Sequence, residues 1–210
     1  MLGIHDYGLF VAAGILLNLT PGQDTLYILG SSIANGRRIG IASALGIVTG
    51  CVVHTLAAAL GLSAILASSA MAFTVVKLAG AAYLIYLGLR AITGARAHVL
   101  SPTKGVAPGS VIAAFRQGVI TNVLNPKVAL FFLALLPQFI DHDSPTKVAA
   151  FIALGLTFIA TGTAWCLVLA VAASRVRGFF ADRPRALVRF SQASGALFVL
   201  LGLRLAISER

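Results

Sequence analysis

Six apolar runs dominate this chain, at residues 7–33, 39–68, 71–92, 111–140, 146–174 and 187–207. Each reaches the length of about 20 residues that a helix needs to cross a bilayer. Backbone groups in hydrocarbon find no water, so such runs are stable there as helices that close their own hydrogen bonds. The charges agree with this: 10% of residues are charged, against about a quarter in soluble domains. Too few remain to coat a water-facing surface. The expectation is an all-α polytopic membrane protein, with residues 1–210 forming one transmembrane domain.

The net charge of +10 raises nucleic acid as a partner, and the distribution of the cations argues against it. They cluster between the runs: Arg37 and Arg38, then Arg90, Arg96 and Lys104, then Arg175, Arg177, Arg183, Arg185 and Arg189. No aromatic residues interleave them as a base-stacking surface would require. Cationic loops of this kind mark the cytoplasmic side. The opposite side holds Lys147, Arg204 and Arg210, accompanied by Asp141, Asp143 and Glu209. With six spans both termini lie outside. A five-span alternative, with one run re-entrant, puts them on opposite sides. The N-terminus lacks the basic region and cleavage site of a signal peptide, so the first run should be retained.

Two pairs of stretches suggest an internal repeat. GILLN at 14–18 matches GVITN at 118–122, each followed within a few residues by a proline, and GAAYL at 80–84 matches GALFV at 195–199. Halves of three spans, at 1–95 and 110–210 around a basic cytoplasmic loop at 96–109, must have opposite orientation because three is odd. That is the inverted repeat of many secondary transporters. Chance likeness between Gly/Ala/Leu-rich helices is the competing reading.

The first and fourth runs are interrupted, by Thr20, Pro21, Gly22, Gln23 and Asp24 in one and by Asn125, Pro126 and Lys127 in the other. A proline removes a backbone donor and clashes with the preceding turn, so each site breaks or kinks its helix. The freed groups must find partners inside the protein. Two breaks at corresponding places are the best sequence pointer to a transporter's midplane site. Asn18 and Asn122 lie one turn before them.

Asp24 is the only acidic residue within a run; Asp6, Asp141, Asp143, Asp182 and Glu209 lie in loops or termini. A charge there costs about 2.5–3.5 kcal/mol on the insertion scale, which function or pairing must offset. Asp24 can alternatively cap the half-helix that starts near Gln23. Lys127 can neutralise Asp24, meet a substrate carboxylate, or snorkel from a helix end. His54, in the second run, suits proton movement, though a lone His is also an ordinary packing residue. Lys77 and Arg116 read as interfacial anchors. Small-residue spacings such as Gly46 with Gly50 read as close helix contacts.

Cys51 and Cys166 lie in apolar runs with neither metal nor disulfide spacing. No Walker-type phosphate loop, HExxH or GxSxG occurs, so neither an ATPase nor an intramembrane enzyme is indicated, and no cofactor or metal is expected.

The chain resembles the lysine-exporter (LysE/RhtB) family of amino-acid efflux proteins over nearly its whole length. The likeness is carried by NLTPGQD at 18–24, GRRIG at 36–40, Leu45, Gly46, Gly50 and His54. It continues in KLAGAAYL at 77–84, Gly88, FRQG at 115–118, NVLNPK at 122–127, Phe131, Phe132 and PQF at 137–139. The family commonly reads Pro-Gly-Pro where this chain has Pro21, Gly22 and Gln23, which makes the break less rigid and adds a polar side chain. The resemblance implies inner-membrane export of an amino acid or derivative, driven by the proton gradient. Small-molecule substrate, protons and lipid are then the partners, and a homodimer is compatible with the size. The rival from the residues alone is a passive channel or structural membrane subunit. A pore would spread polar residues along one stripe, whereas here they gather at two breaks.

Overall fold

The computed structural model describes residues 2–62, 64, 70–93, 110–141, 143–173 and 184–207. The expected features at Arg96, Lys104, Arg175, Arg177, Asp182, Arg183, Glu209 and Arg210 lie outside the described residues. Among the described residues eight α-helices follow in order: α1 (Tyr7–Leu19), α2 (Gln23–Asn35), α3 (Arg37–Ala57), α4 (Ala70–Thr93), α5 (Val111–Val123), α6 (Pro126–Leu135), α7 (Lys147–Val171) and α8 (Pro184–Ile207). A π-helical turn, Ala58–Leu62, extends α3, and a 3-10 turn, Leu136–Phe139, extends α6. Among the described residues the one extended pairing is an isolated bridge between Ile4 and Ile140.

The local sequence accounts for the boundaries. Gly22 is extended between α1 and α2, and Pro21 before it cannot continue a helical ladder. Gly36 separates α2 from α3 at φ 83°, a backbone setting that side chains disfavour. Ser110 caps α5 by accepting from the Ala113 N–H at 3.3 Å. Asn125 caps α6 by accepting from the Lys127 N–H at 3.0 Å, with Pro126 at the first helical position, where no donor is needed.

Among the described residues, two helices can cross a membrane alone by length and composition: Arg37–Leu62 and Lys147–Val171. A third span results if Val111–Val123 and Pro126–Phe139, bent by 50°, are taken together. Tyr7–Leu19 and Gln192–Arg204 are shorter apolar helices. The outer surface is also apolar. Met71 and Ile207 are each 78% exposed and Leu124 is 72% exposed. Such surfaces belong against lipid.

Small residues let the helices approach closely. A side chain on Gly46 would run into the Phe115 carbonyl, and one on Gly118 would meet the Ser43 carbonyl at 2.6 Å, so α3 and α5 pack backbone to backbone. Gly88 and Gly195 do the same for α4 and α8, each facing the other's carbonyl. Membrane helices gain contact this way because lipid supplies no hydrophobic drive between them. Two clusters make up most of the interior, beside a small third of Ile39, Ala42 and Ala114. One gathers Phe10, Phe131, Phe132, Phe139, Phe151, Phe158 and Phe198 with buried leucines. The other is built of Tyr27, Ile28, Ala44, Ile47, Cys166, Leu169 and Ala170. The two breaks lie close to this interior.

Candidate functional site

Each break has the same defect. In a continuous helix the Leu17 carbonyl would accept from residue 21, but Pro21 has no N–H. The Asn122 carbonyl would accept from residue 126, and Pro126 has none either. Both carbonyls are repaired by basic side chains from elsewhere in the chain. Lys127 donates from Nζ to the Leu17 oxygen at 3.0 Å and to the Thr20 oxygen at 2.8 Å. His54 approaches the Asn122 oxygen at 3.0 Å through Nε2. A carbonyl only accepts, so Nε2 carries the proton in this contact. The Asn125 N–H also reaches the Asn122 oxygen at 2.9 Å.

Asp24 sits in the first turn of α2, where a carboxylate is favoured by the positive end of the helix dipole. Its Oδ2 accepts from Asn122 Nδ2 at 2.8 Å. Helix-end electrostatics explain why the two charges do not simply pair: α1 ends in free carbonyls that attract the Lys127 ammonium, while α2 begins in free N–H groups that favour Asp24. The ammonium crowds this break, since a Cβ on Gly22 would lie 3.2 Å from Nζ. Asn122 therefore connects the parts: its side chain holds Asp24, and its carbonyl takes His54.

Glycine makes room for the bridge. A Cβ on Gly50 would lie 2.6 Å from Asn122 Cβ and 2.7 Å from its Oδ1. Gly162 opposes the Asn18 side chain, whose Nδ2 points to Thr161 Oγ1 at 3.4 Å. The Thr20 hydroxyl turns back to the Leu16 carbonyl at 2.6 Å. Among the described residues, Asp24 Oδ1, Asn122 Oδ1, Asn125 Nδ2 and Trp165 Nε1 are buried without a hydrogen-bond partner.

A cavity of about 30 Å³ adjoins Asp24 and Trp165, room for about two waters. Its polar walls are Asn18, Asp24, Thr25, Lys127, Thr163 and Trp165, and apolar residues including Ile47, Val48, Phe158 and Leu169 complete it. Asn18, Asp24 and Lys127 thus meet at one cavity, and Asn122 and His54 reach it through hydrogen bonds. Gln23 is exposed at the start of α2 and stands apart. Thr25, Cys51, Thr163, Trp165 and Cys166 were not expected there. The helical spacing of Gly162, Trp165, Cys166 and Leu169 on α7 is the signal that finds Trp165 and Cys166; Thr25 and Cys51 carry none.

Chemically, the site offers one carboxylate, one ammonium and the ends of broken helices. Among the described residues no group of three His, Cys, Asp or Glu side chains could hold a metal. Paired helix breaks around an acid and a base that meet at one cavity, in a protein whose described residues are helical with an apolar exterior, fit a membrane transport protein. The family model for LysE type translocators matches residues 15–209, and the chain belongs to that family. It is accordingly an integral inner-membrane transporter and not an enzyme. A homoserine/homoserine lactone efflux protein of Salmonella typhimurium is 33% identical over 200 residues, 94% of each chain. An uncharacterized membrane protein of Pseudomonas aeruginosa is 30% identical over 208 residues, covering 98% of this chain and 96% of its own. A third relative, an uncharacterized membrane protein of Vibrio cholerae, is 29% identical over 210 residues. No solved structure matches the chain.

Proposed function

We propose that the protein exports amino acids or their derivatives from the cytoplasm as a proton-coupled antiporter, working by alternating access at the paired breaks. The observation that carries this is the Asp24–Asn122 hydrogen bond of 2.8 Å, which joins the two breaks through the one acidic residue of the apolar runs. The efflux relative named for homoserine and its lactone supports an amino-acid-like substrate.

In this reading six spans form two inverted halves, 1–95 and 110–210, with the basic loops facing the cytoplasm. The packing of α4 on α8 and of α3 on α7 supports the symmetry, because each pairs helices that correspond in the two halves. The substrate ammonium docks at Asp24, and proton binding from outside displaces it there. A carboxylate that trades a proton for a cationic group couples the two fluxes. Rocking of one half against the other then exposes the site alternately. At its present size the cavity admits no amino acid, so loading requires that motion.

The test is efflux from loaded proteoliposomes under an imposed pH gradient. Asp24→Asn should insert normally yet lose gradient-driven efflux. Normal efflux by that variant would sink the coupling role. Unsaturable flux that ignores the gradient would identify a passive channel.

A further inference from the structure

We propose that Trp165 contacts the substrate directly: its indole N–H and the free oxygen of Asp24 are the donor and acceptor ends of a seat for a zwitterion with an uncharged side chain. This rests on the export reading above and names the substrate class of the same site.

Three observations lead to it. First, Asp24 and Trp165 line the same cavity. Second, each carries a buried polar atom without a partner among the described residues, Asp24 Oδ1 and Trp165 Nε1. Buried polar groups are almost always satisfied, so two complementary exceptions on one cavity call for an explanation. An α-amino acid supplies what both lack, an ammonium for the carboxylate oxygen and a carboxylate for the indole N–H. Third, Lys127 is already engaged with the Leu17 and Thr20 carbonyls. The substrate carboxylate therefore gains most from the donor that has no such engagement.

The same inventory restricts the side chain. Among the described residues Asp24 is the one acid lining the cavity, and its Oδ2 is taken by Asn122. A second ammonium or a guanidinium on the substrate would be buried without a counter-charge, which is strongly disfavoured. Ile47, Val48 and Leu169 offer apolar contact, and Thr163 adds a hydroxyl. Once the cavity widens, the chemistry of these walls suits small neutral amino acids and not lysine or arginine.

Trp165 is the chain's single tryptophan, so its emission reports the cavity with no other source. Purified wild-type protein should show a saturable emission change on titration with small neutral amino acids and none with lysine at equal concentration. In proteoliposomes, Trp165→Phe keeps the ring and removes the N–H, and should raise KM for a neutral amino acid by roughly tenfold, one hydrogen bond's worth. For the matching primary amine without a carboxylate, wild type and Trp165→Phe should behave alike. Efflux with an unshifted KM in Trp165→Phe, or emission unmoved by an amino acid that is exported, overturns the assignment of Trp165 alone. Export of lysine as fast as neutral amino acids overturns the restriction on side chain. If wild type exports no amino acid under any gradient, the export reading fails and this proposal fails with it.

Discussion

The two helix breaks share one defect and repair it differently. After Asn122 the repair is mostly local. Its carbonyl takes the Asn125 N–H at 2.9 Å, the Asn125 side chain caps α6, and His54 adds one further hydrogen bond. After Leu17 the repair comes from far along the chain, because Lys127 donates to the Leu17 and Thr20 carbonyls from 110 and 107 residues away. The second break can hold its shape on its own. The first holds its shape only while α6 stays beside it. Motion of α6 away from α1 would strip two carbonyls and one ammonium at once, so in the proposed transport cycle the first break is the one that senses the position of α6.

The largest effect should follow from removing that distant repair. Lys127→Ala leaves the Leu17 and Thr20 carbonyls to find other partners. Hydrogen bonds to charged groups contribute about 1.5–3 kcal/mol each, so the variant should lose about 3 kcal/mol or more of stability in detergent, together with efflux. Lys127→Arg keeps the charge with a different donor geometry and should recover part of both. Thermal unfolding of the two variants beside wild type measures the difference. If Lys127→Ala unfolds like wild type, the first break does not depend on α6, and the contrast with the second disappears.

A smaller effect should come from the bridge between the breaks. Gly50→Ala places a methyl 2.6 Å from Asn122 Cβ, and the asparagine must move away from Asp24. Overpacking of this kind costs about 1–3 kcal/mol. Efflux should fall while the protein still inserts, and Gly46→Ala, which would press on the Phe115 carbonyl instead, should disturb folding more than transport. Equal transport defects in both would reduce Gly50 to helix packing.

Much of this was legible in the sequence, for physical reasons that also mark where legibility stops. The breaks announce themselves because proline lacks a donor wherever it stands, and Asp24 is conspicuous because ionised groups are so disfavoured in lipid. The partners of these residues are another matter. Lys127 and Asp24 invite pairing by sign, yet the ends of α1 and α2 draw them to different groups, and helix-end carbonyls carry no letter in a sequence. Asn122 looks like the echo of Asn18, but its role as a bridge depends on the space left by Gly50 on α3. Gln23 looked like part of the site from its neighbours, and one step around the helix leaves it exposed. Trp165 lies in an apolar run, where a tryptophan is compatible with simple packing, and only the unsatisfied N–H distinguishes it.

The smallest effect tests the local repair of the second break. His54→Leu removes one hydrogen bond from the Asn122 carbonyl, which should lower stability by about 1 kcal/mol. The Asn125 N–H remains, so the break should survive. Pro126→Ala returns an N–H to the position that would serve the same carbonyl. If His54 acts by replacing the donor that proline lacks, the cost of His54→Leu should shrink in the Pro126→Ala background, giving an interaction energy of about 0.5–1 kcal/mol in a double-mutant cycle. The corresponding cycle at the first break, Lys127→Ala with Pro21→Ala, should show weaker relative rescue, because one restored N–H serves Leu17 and leaves the Thr20 carbonyl bare. Strict additivity in both cycles would mean that the prolines and the basic side chains act independently, and that the shared defect does not explain why His54 and Lys127 sit where they do.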